Sequence, residues 1–208
     1  MTEKEILAQY LPDTAVEKVY NSVIDHKIHL KITKNRKTKL GDYRPPIRHS
    51  NHRITINHDL NKYSFLITFV HELAHLKVYE QYKNRVAPHG KEWKQIYKEL
   101  MFDVLKLKVF PEDIQQQLEK SIQNSPEGIP MVKASSTSDL KLSRILQRYD
   151  KSNGHPRVED LPFNALFVTQ NGRQFKKGER VRTRYKCLNL QNKRIYLFHP
   201  LTPVIPVD

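Results

Sequence analysis

One cysteine in 208 residues, Cys187, has no partner for an internal disulfide, which excludes the cross-linked scaffolds of small secreted domains and fits a reducing compartment such as the cytoplasm. Long apolar runs are also missing. The longest, Phe65–Val70, is far short of a bilayer span, and the opening MTEKEILAQYLP carries acids where an export signal would be apolar. We therefore expect a chain that is neither exported nor membrane-embedded. Acidic residues are scarce: 22 Asp and Glu face 36 Lys and Arg, a net charge of +14. Such an excess favours a polyanionic partner, and nucleic acid is the simplest one. No internal repeat is present.

What remains reads as one core with an appendage. Thr2 and Glu5 are spaced as a capping box, and Pro12 can open a second helix over 12–26. Ile28, Leu30 and Ile32 then alternate with polar residues, the pattern of a half-buried strand. Further short strands are expected over 38–43 and 53–57, divided by Pro45-Pro46. From 61 to 83 no breaker intervenes and apolar residues surround the helix, so it should be central and buried. A helix striped with Trp93, Ile96, Tyr97, Leu100, Val104 and Leu105 should pack against it, and another should run from Pro111 to Gln123. Residues 124–138 are rich in Pro, Ser and Gly and read as a linker. Residues 139–208 read as a short helix and a small basic β domain. In it a hairpin is expected on Asn171-Gly172, followed by strands at ERVRTRYKC and KRIYLFH.

The motif that carries chemistry is HELAH. On a helix His71 and His75 stack on one face and can share an ion, while Glu72 reaches a water beside it. Three protein ligands and one open position make a catalytic zinc site, in which Glu72 would take the proton of the attacking water. Two polar residues stranded on an apolar helix would instead be costly to bury. The third ligand is open on spacing alone: Glu99, paired with Asp103 on the next helix, and His89, in APHGKEWK, both qualify. The other histidines lack metal spacing, and Trp93 reads as core.

HELAH followed by PHGKEWK resembles the SprT-like (Spartan-type) zinc metallopeptidase family, and NRKTKLGDYRPP with RITINHDL is similar to that family's basic strand pair. The resemblance covers about residues 10–120. It implies His71, His75 and His89 as ligands of one Zn2+ per chain, Glu72 as general base, and a SprT-like metallopeptidase domain over 1–123. The fold class is then α+β, a helical zincin-like core with a small three-stranded sheet plus a small C-terminal all-β unit. FKKGERVRTRYKCLNL resembles the second half of the family's zinc ribbon, but with Cys187 alone no four-cysteine site can form.

The basic excess is concentrated. Residues 27–53 and 171–194 each hold nine Lys or Arg against one acid. If 179–187 is one strand, Arg180, Arg182, Arg184 and Lys186 line one face; with Lys34, Arg36, Lys37 and Lys39 they are the candidate DNA contacts, with Tyr43 or Tyr185 available for stacking. Capture of an extended peptide on an edge strand over 53–57 is a further expectation from the fold. The leading function is a zinc endopeptidase acting on proteins associated with or crosslinked to DNA, in the cytoplasm at the nucleoid. Alternatives are a peptidase that cleaves a repressor and a non-catalytic, zinc-containing nucleic-acid binder.

Overall fold

In the computed structural model the described residues are 1–36, 38–47, 50–123, 140–151 and 154–207; the expected linker over 124–138 and Lys37 lie outside them. The chain divides into two units, Met1–Asp150 and Lys151–Asp208. Among the described residues no helix is long and apolar enough to cross a membrane.

In the first unit, Thr2 caps α1 (Glu3–Ala8) through the expected box: its side chain accepts from Glu5 N at 3.3 Å, and its N–H donates to the Glu5 carboxylate at 2.8 Å. Pro12 then leads into α2 (Asp13–Asp25). Three short strands follow, β1 (Ile28–Thr33), β2 (Gly41–Arg44) and β3 (His52–Asn57), in the order β1-β3-β2. β3 pairs parallel with β1 and antiparallel with β2. It is therefore the central strand, and the sheet's edges are β1 and β2, not residues 53–57 as expected for peptide capture.

α3 (Lys62–Tyr82) runs without Gly or Pro and buries residues on every side, including Phe65, Ile67, Phe69, Leu73 and Leu76. Asn61 caps it by accepting from Tyr63 N and Ser64 N at 3.1 and 2.9 Å. α4 (Lys91–Leu105) and α5 (Glu112–Gln123) complete the core on their apolar stripes.

The boundary between units lies later than composition suggests. α6 (Leu140–Gln147) belongs to the first unit, where Leu142 and Leu146 are buried in its core. Asn61 Nδ2 donates to Leu146 O at 3.0 Å, and Tyr149 O–H donates to Asp113 at 2.7 Å. Helical spacing was legible over 140–149; the docking partners were not, because they lie 36 and 85 residues away in the chain.

The second unit is a five-stranded antiparallel sheet, β4 (Leu166–Val168), β5 (Gln174–Val181), β6 (Arg184–Asn189), β7 (Ile195–Phe198) and β8 (Ile205–Val207), ordered β7-β6-β5-β4-β8. The Asn171-Gly172 turn forms as expected, with Gly172 at φ 76°. ERVRTRYKC does not form one strand. It folds into a hairpin on Arg182-Thr183, with Arg182 left-handed at φ 53°, and Val181 pairs with Arg184. Without glycine at this turn, the alternation of Arg with Val, Thr and Tyr gave no break signal.

The core of this sheet is aromatic, with Phe175 4.8 Å from Phe198 and 5.6 Å from Phe167 between ring centroids. Within it sits a buried cation. Lys177 is 5% exposed, its ammonium donating to Glu159 O at 3.2 Å and to Leu161 O, and lying 4.4 Å from the Tyr185 ring centroid. Burial draws its pKa below the ordinary lysine value and pushes that of its cross-strand neighbour Cys187 up to about 11. The ammonium ties β5 to the Val158–Asp160 turn, so this unit is held without disulfide or cysteine-bound metal. Lys177→Met should therefore strand two carbonyls and cost on the order of 2 kcal/mol. Thermal unfolding of the full chain, with hydrogen exchange to localise the loss to residues 158–198, measures it; unchanged protection there contradicts this role.

Candidate metal centre

His71 and His75 lie one turn apart on α3, on a helix whose surroundings fix its rotation. His89 arrives from the loop that joins α3 to α4. The strained residue of that loop is His89 itself, at φ 59°. Gly90 is extended and serves another purpose: a Cβ there would lie 2.9 Å from Ala87 O, the oxygen that Gly90 N–H reaches at 2.9 Å. A left-handed non-glycine residue costs roughly 1–2 kcal/mol, and such strain concentrates at functional sites.

The result is a triangle. The Nε2 atoms of His71, His75 and His89 are 3.2, 3.0 and 3.2 Å apart. Each neutral imidazole carries one N–H, so three ring nitrogens pointing at one another cannot all be satisfied as hydrogen bonds. Around a tetrahedral ion with bonds of about 2.0–2.1 Å, neighbouring ligand atoms are about 3.3 Å apart. The donor set thus fits a bound cation. Among the described residues this is the one group of three or more His, Cys, Asp or Glu so arranged.

Trp93 walls the site. Its ring lies 4.7, 5.2 and 4.7 Å from those of His71, His75 and His89 and stacks on Tyr97 at 5.0 Å. At 1% exposure it is core, as its stripe implied, yet it also fixes all three imidazole planes. The sequence reading missed that second role. The signal was its place four residues after His89, at the head of the following helix.

Glu72 is 6% exposed on the turn between the two histidines, facing the sheet. β2 runs past it and is anchored beyond: Tyr43 Oη and His52 Nδ1 are 2.9 Å apart, and Glu80 Oε1 lies 3.1 Å from His26 Nδ1 and 3.9 Å from His52 Nε2. Burial holds His52 below the ordinary imidazole range, against the pull of Glu80, and burial raises Tyr43. Burial would raise Asp42 too, but hydrogen bonds from Lys39 and Arg44, at 2.8 and 3.1 Å, hold its carboxyl below the usual range.

The other expected residues are scattered. Glu99 is exposed and accepts from Gln95 at 2.6 Å, and Asp103 pairs with Lys106 at 3.3 Å, so neither joins the triangle. α4 turns Trp93 and Tyr97 inward instead. Of the first basic group, Lys34 is exposed. Lys39 is bonded to Asp42, and Arg36 is engaged within the fold, donating to Asn57 Oδ1 and Thr55 Oγ1 at 2.8 Å each. Of the second, Arg184 and Lys186 share the outer face of β6, Arg180 pairs with Tyr185 on the opposite face, and Arg182 occupies the turn. Lys186 is bonded to Glu179 at 2.7 Å. A single row of four basic side chains does not exist, because the strand reverses between Arg180 and Arg184. Tyr185 lies beneath the Lys177 ammonium and Tyr43 against His52, so both rings are already engaged.

The SprT-like family model matches residues 9–123, which contain the whole triangle and Glu72. Protein SprT of Glaesserella parasuis serovar 5 (strain SH0165) is 61% identical over 31 residues, 15% of this chain and 19% of that protein. Protein SprT of Yersinia pseudotuberculosis serotype IB (strain PB1/+) is 52% identical over 42 residues, 20% and 24%, and that of Yersinia pestis gives the same figures. The chain thus spans about a fifth to a quarter of the length of these relatives. No solved structure matches it.

Removing one corner of the triangle should release the metal, whereas removing the exposed carboxylate should not. We expect His89→Ala to lose zinc on dialysis that wild type withstands, and Glu99→Ala to retain it, by elemental analysis. The reverse pattern would transfer the third ligand to Glu99.

Proposed function

The chain belongs to the SprT-like family, and from that premise we propose that it is a zinc-dependent endopeptidase acting on proteins bound or crosslinked to DNA. The observation that carries this reading is the triangle of three Nε2 atoms with the Glu72 carboxylate on the same helical turn. Three neutral imidazoles suit zinc, and three protein ligands leave a position for water. Zinc, when bound there, supplies Lewis acidity that brings the pKa of its water to about 7. Glu72 accepts the proton of the attacking water and passes it to the departing amine as the peptide C–N bond breaks. Burial between α3 and β2 keeps that carboxylate in one place and away from competing solvent. Trp93 and Tyr97 hold the imidazoles from behind.

The DNA part of the proposal now rests on the hairpin tip. Arg180, Arg182 and Arg184 fall within five residues around one turn, and arginine forks suit phosphate. Lys186 contributes less, since Glu179 already partners it. Such contacts hold the phosphate backbone without reading sequence, which suits an enzyme of the cytoplasm that meets its protein substrates on the nucleoid.

Two measurements check these parts separately. Glu72→Gln should keep zinc and fold but lower cleavage of a DNA-crosslinked protein at least 100-fold, in line with the roughly 10²–10⁴ supplied by a general base. Undiminished cleavage rejects the mechanism, and a wild type that holds zinc and DNA without cleaving leaves a non-catalytic binder. In a salt titration of DNA affinity, Arg180, Arg182 and Arg184 replaced together by Gln should reduce the slope by about 2–3, at about 0.9 per phosphate contact, while Lys186→Gln should barely alter it. An unchanged slope in the triple variant places DNA elsewhere.

A further inference from the structure

Gly41 opens β2 where that strand passes the turn of α3 carrying Thr68 and Glu72. A Cβ at this position would lie 2.5 Å from Glu72 Oε1, 2.7 Å from Thr68 Cγ2 and 2.8 Å from Glu72 Cγ. All three are far inside ordinary van der Waals contact. Its backbone is not left-handed, since the positive-φ glycines among the described residues are Gly154 and Gly172. Glycine is therefore required here for space and not for conformation.

Which neighbour would yield decides the consequence. Thr68 is branched at Cβ and 5% exposed, and its hydroxyl donates to Ser64 O at 2.7 Å, so turning it breaks a buried hydrogen bond. The β2 backbone is fixed by its pairing with β3, by Asp42 between Lys39 and Arg44, and by the Tyr43–His52 contact. Glu72 is unbranched, with three side-chain torsions, and two of the three contacts are its own atoms. It is the group that moves.

We infer that Gly41 is a positioning residue for Glu72: the side chain it lacks is the seat of the carboxylate. The inference rests on Glu72 being the proton acceptor of the proposed reaction. Any side chain at 41 displaces that carboxylate while leaving in place His71, His75 and His89, none of which supplies one of the three nearest atoms. The edge strand and the catalytic group are thereby locked together through one missing methyl group. Displacement of a catalytic group by about 1 Å costs on the order of 100-fold in rate.

The test combines stability and turnover in the full-length, zinc-loaded protein. Wild type, Gly41→Ala, Glu72→Ala and the double variant form a cycle read by melting temperature and zinc content. We expect Gly41→Ala to lower the melting temperature by several degrees in the wild-type background and by nearly nothing, or to raise it, when Glu72 is already Ala. If Gly41→Ala alone does not fold and the double variant does, the coupling is shown all the more directly. Additive effects overturn the inference. With fluorescein-labelled casein as substrate, Gly41→Ala should lose about 100-fold in kcat with KM and zinc unchanged; undiminished kcat overturns positioning even where the stability coupling is present. If wild type does not cleave casein, the endopeptidase reading loses this support, and the melting cycle decides the Gly41–Glu72 contact by itself.

Discussion

Three imidazole nitrogens held about 3 Å apart cannot all satisfy one another as hydrogen bonds, and most of the first unit is arranged to keep them there. The fully surrounded helix α3 sets the rotation of His71 and His75. A left-handed histidine brings the third nitrogen in from a loop, and Trp93 closes the side that solvent would otherwise reach. Each of these is costly or neutral alone. A histidine at φ 59°, an indole packed on three polar rings and a buried carboxylate together suit a site that could hold a cation.

The small sheet does a second job. Its central strand β3 packs on α3, and its edge strand β2 delivers Gly41 to Glu72. The arrangement is stiff because β2 is tied both near its start, through Arg36 and Lys39, and at its end, through Tyr43 and His52. Arg36 illustrates the competition for charge in this chain: a guanidinium that the composition marks for phosphate is spent on joining the loop before β2 to β3. The second unit meets a different need, building a stable sheet on a buried ammonium and a cluster of aromatic rings.

Much of this was legible in the sequence where short-range chemistry controls it. The spacing of His71 and His75, the capping box of Thr2 and Glu5, the all-round burial of α3 and the Asn171-Gly172 turn depend on residues within one or two turns of each other. What was not legible is set by distant or unmarked contacts. His89 and Glu99 could not be separated by spacing, since the choice depends on which face α4 turns toward α3. The order β1-β3-β2 comes from tertiary pairing, so residues 53–57, expected at an edge, form the central strand. The hairpin at Arg182-Thr183 uses no glycine, so four basic residues on two faces read as one row. Gly41 stood unmarked within the strand expected over 38–43, because its neighbour in space, Glu72, is 31 positions away.

Three histidines that hold one zinc ion would leave room on it for water. Zinc K-edge X-ray absorption on the purified full-length protein tests this coordination most directly. The expected spectrum shows a low-Z first shell at about 2.0–2.1 Å with the multiple-scattering signature of three imidazoles and one further oxygen. A sulfur shell near 2.3 Å, a two-imidazole fit, or protein that folds and takes up no zinc would contradict it.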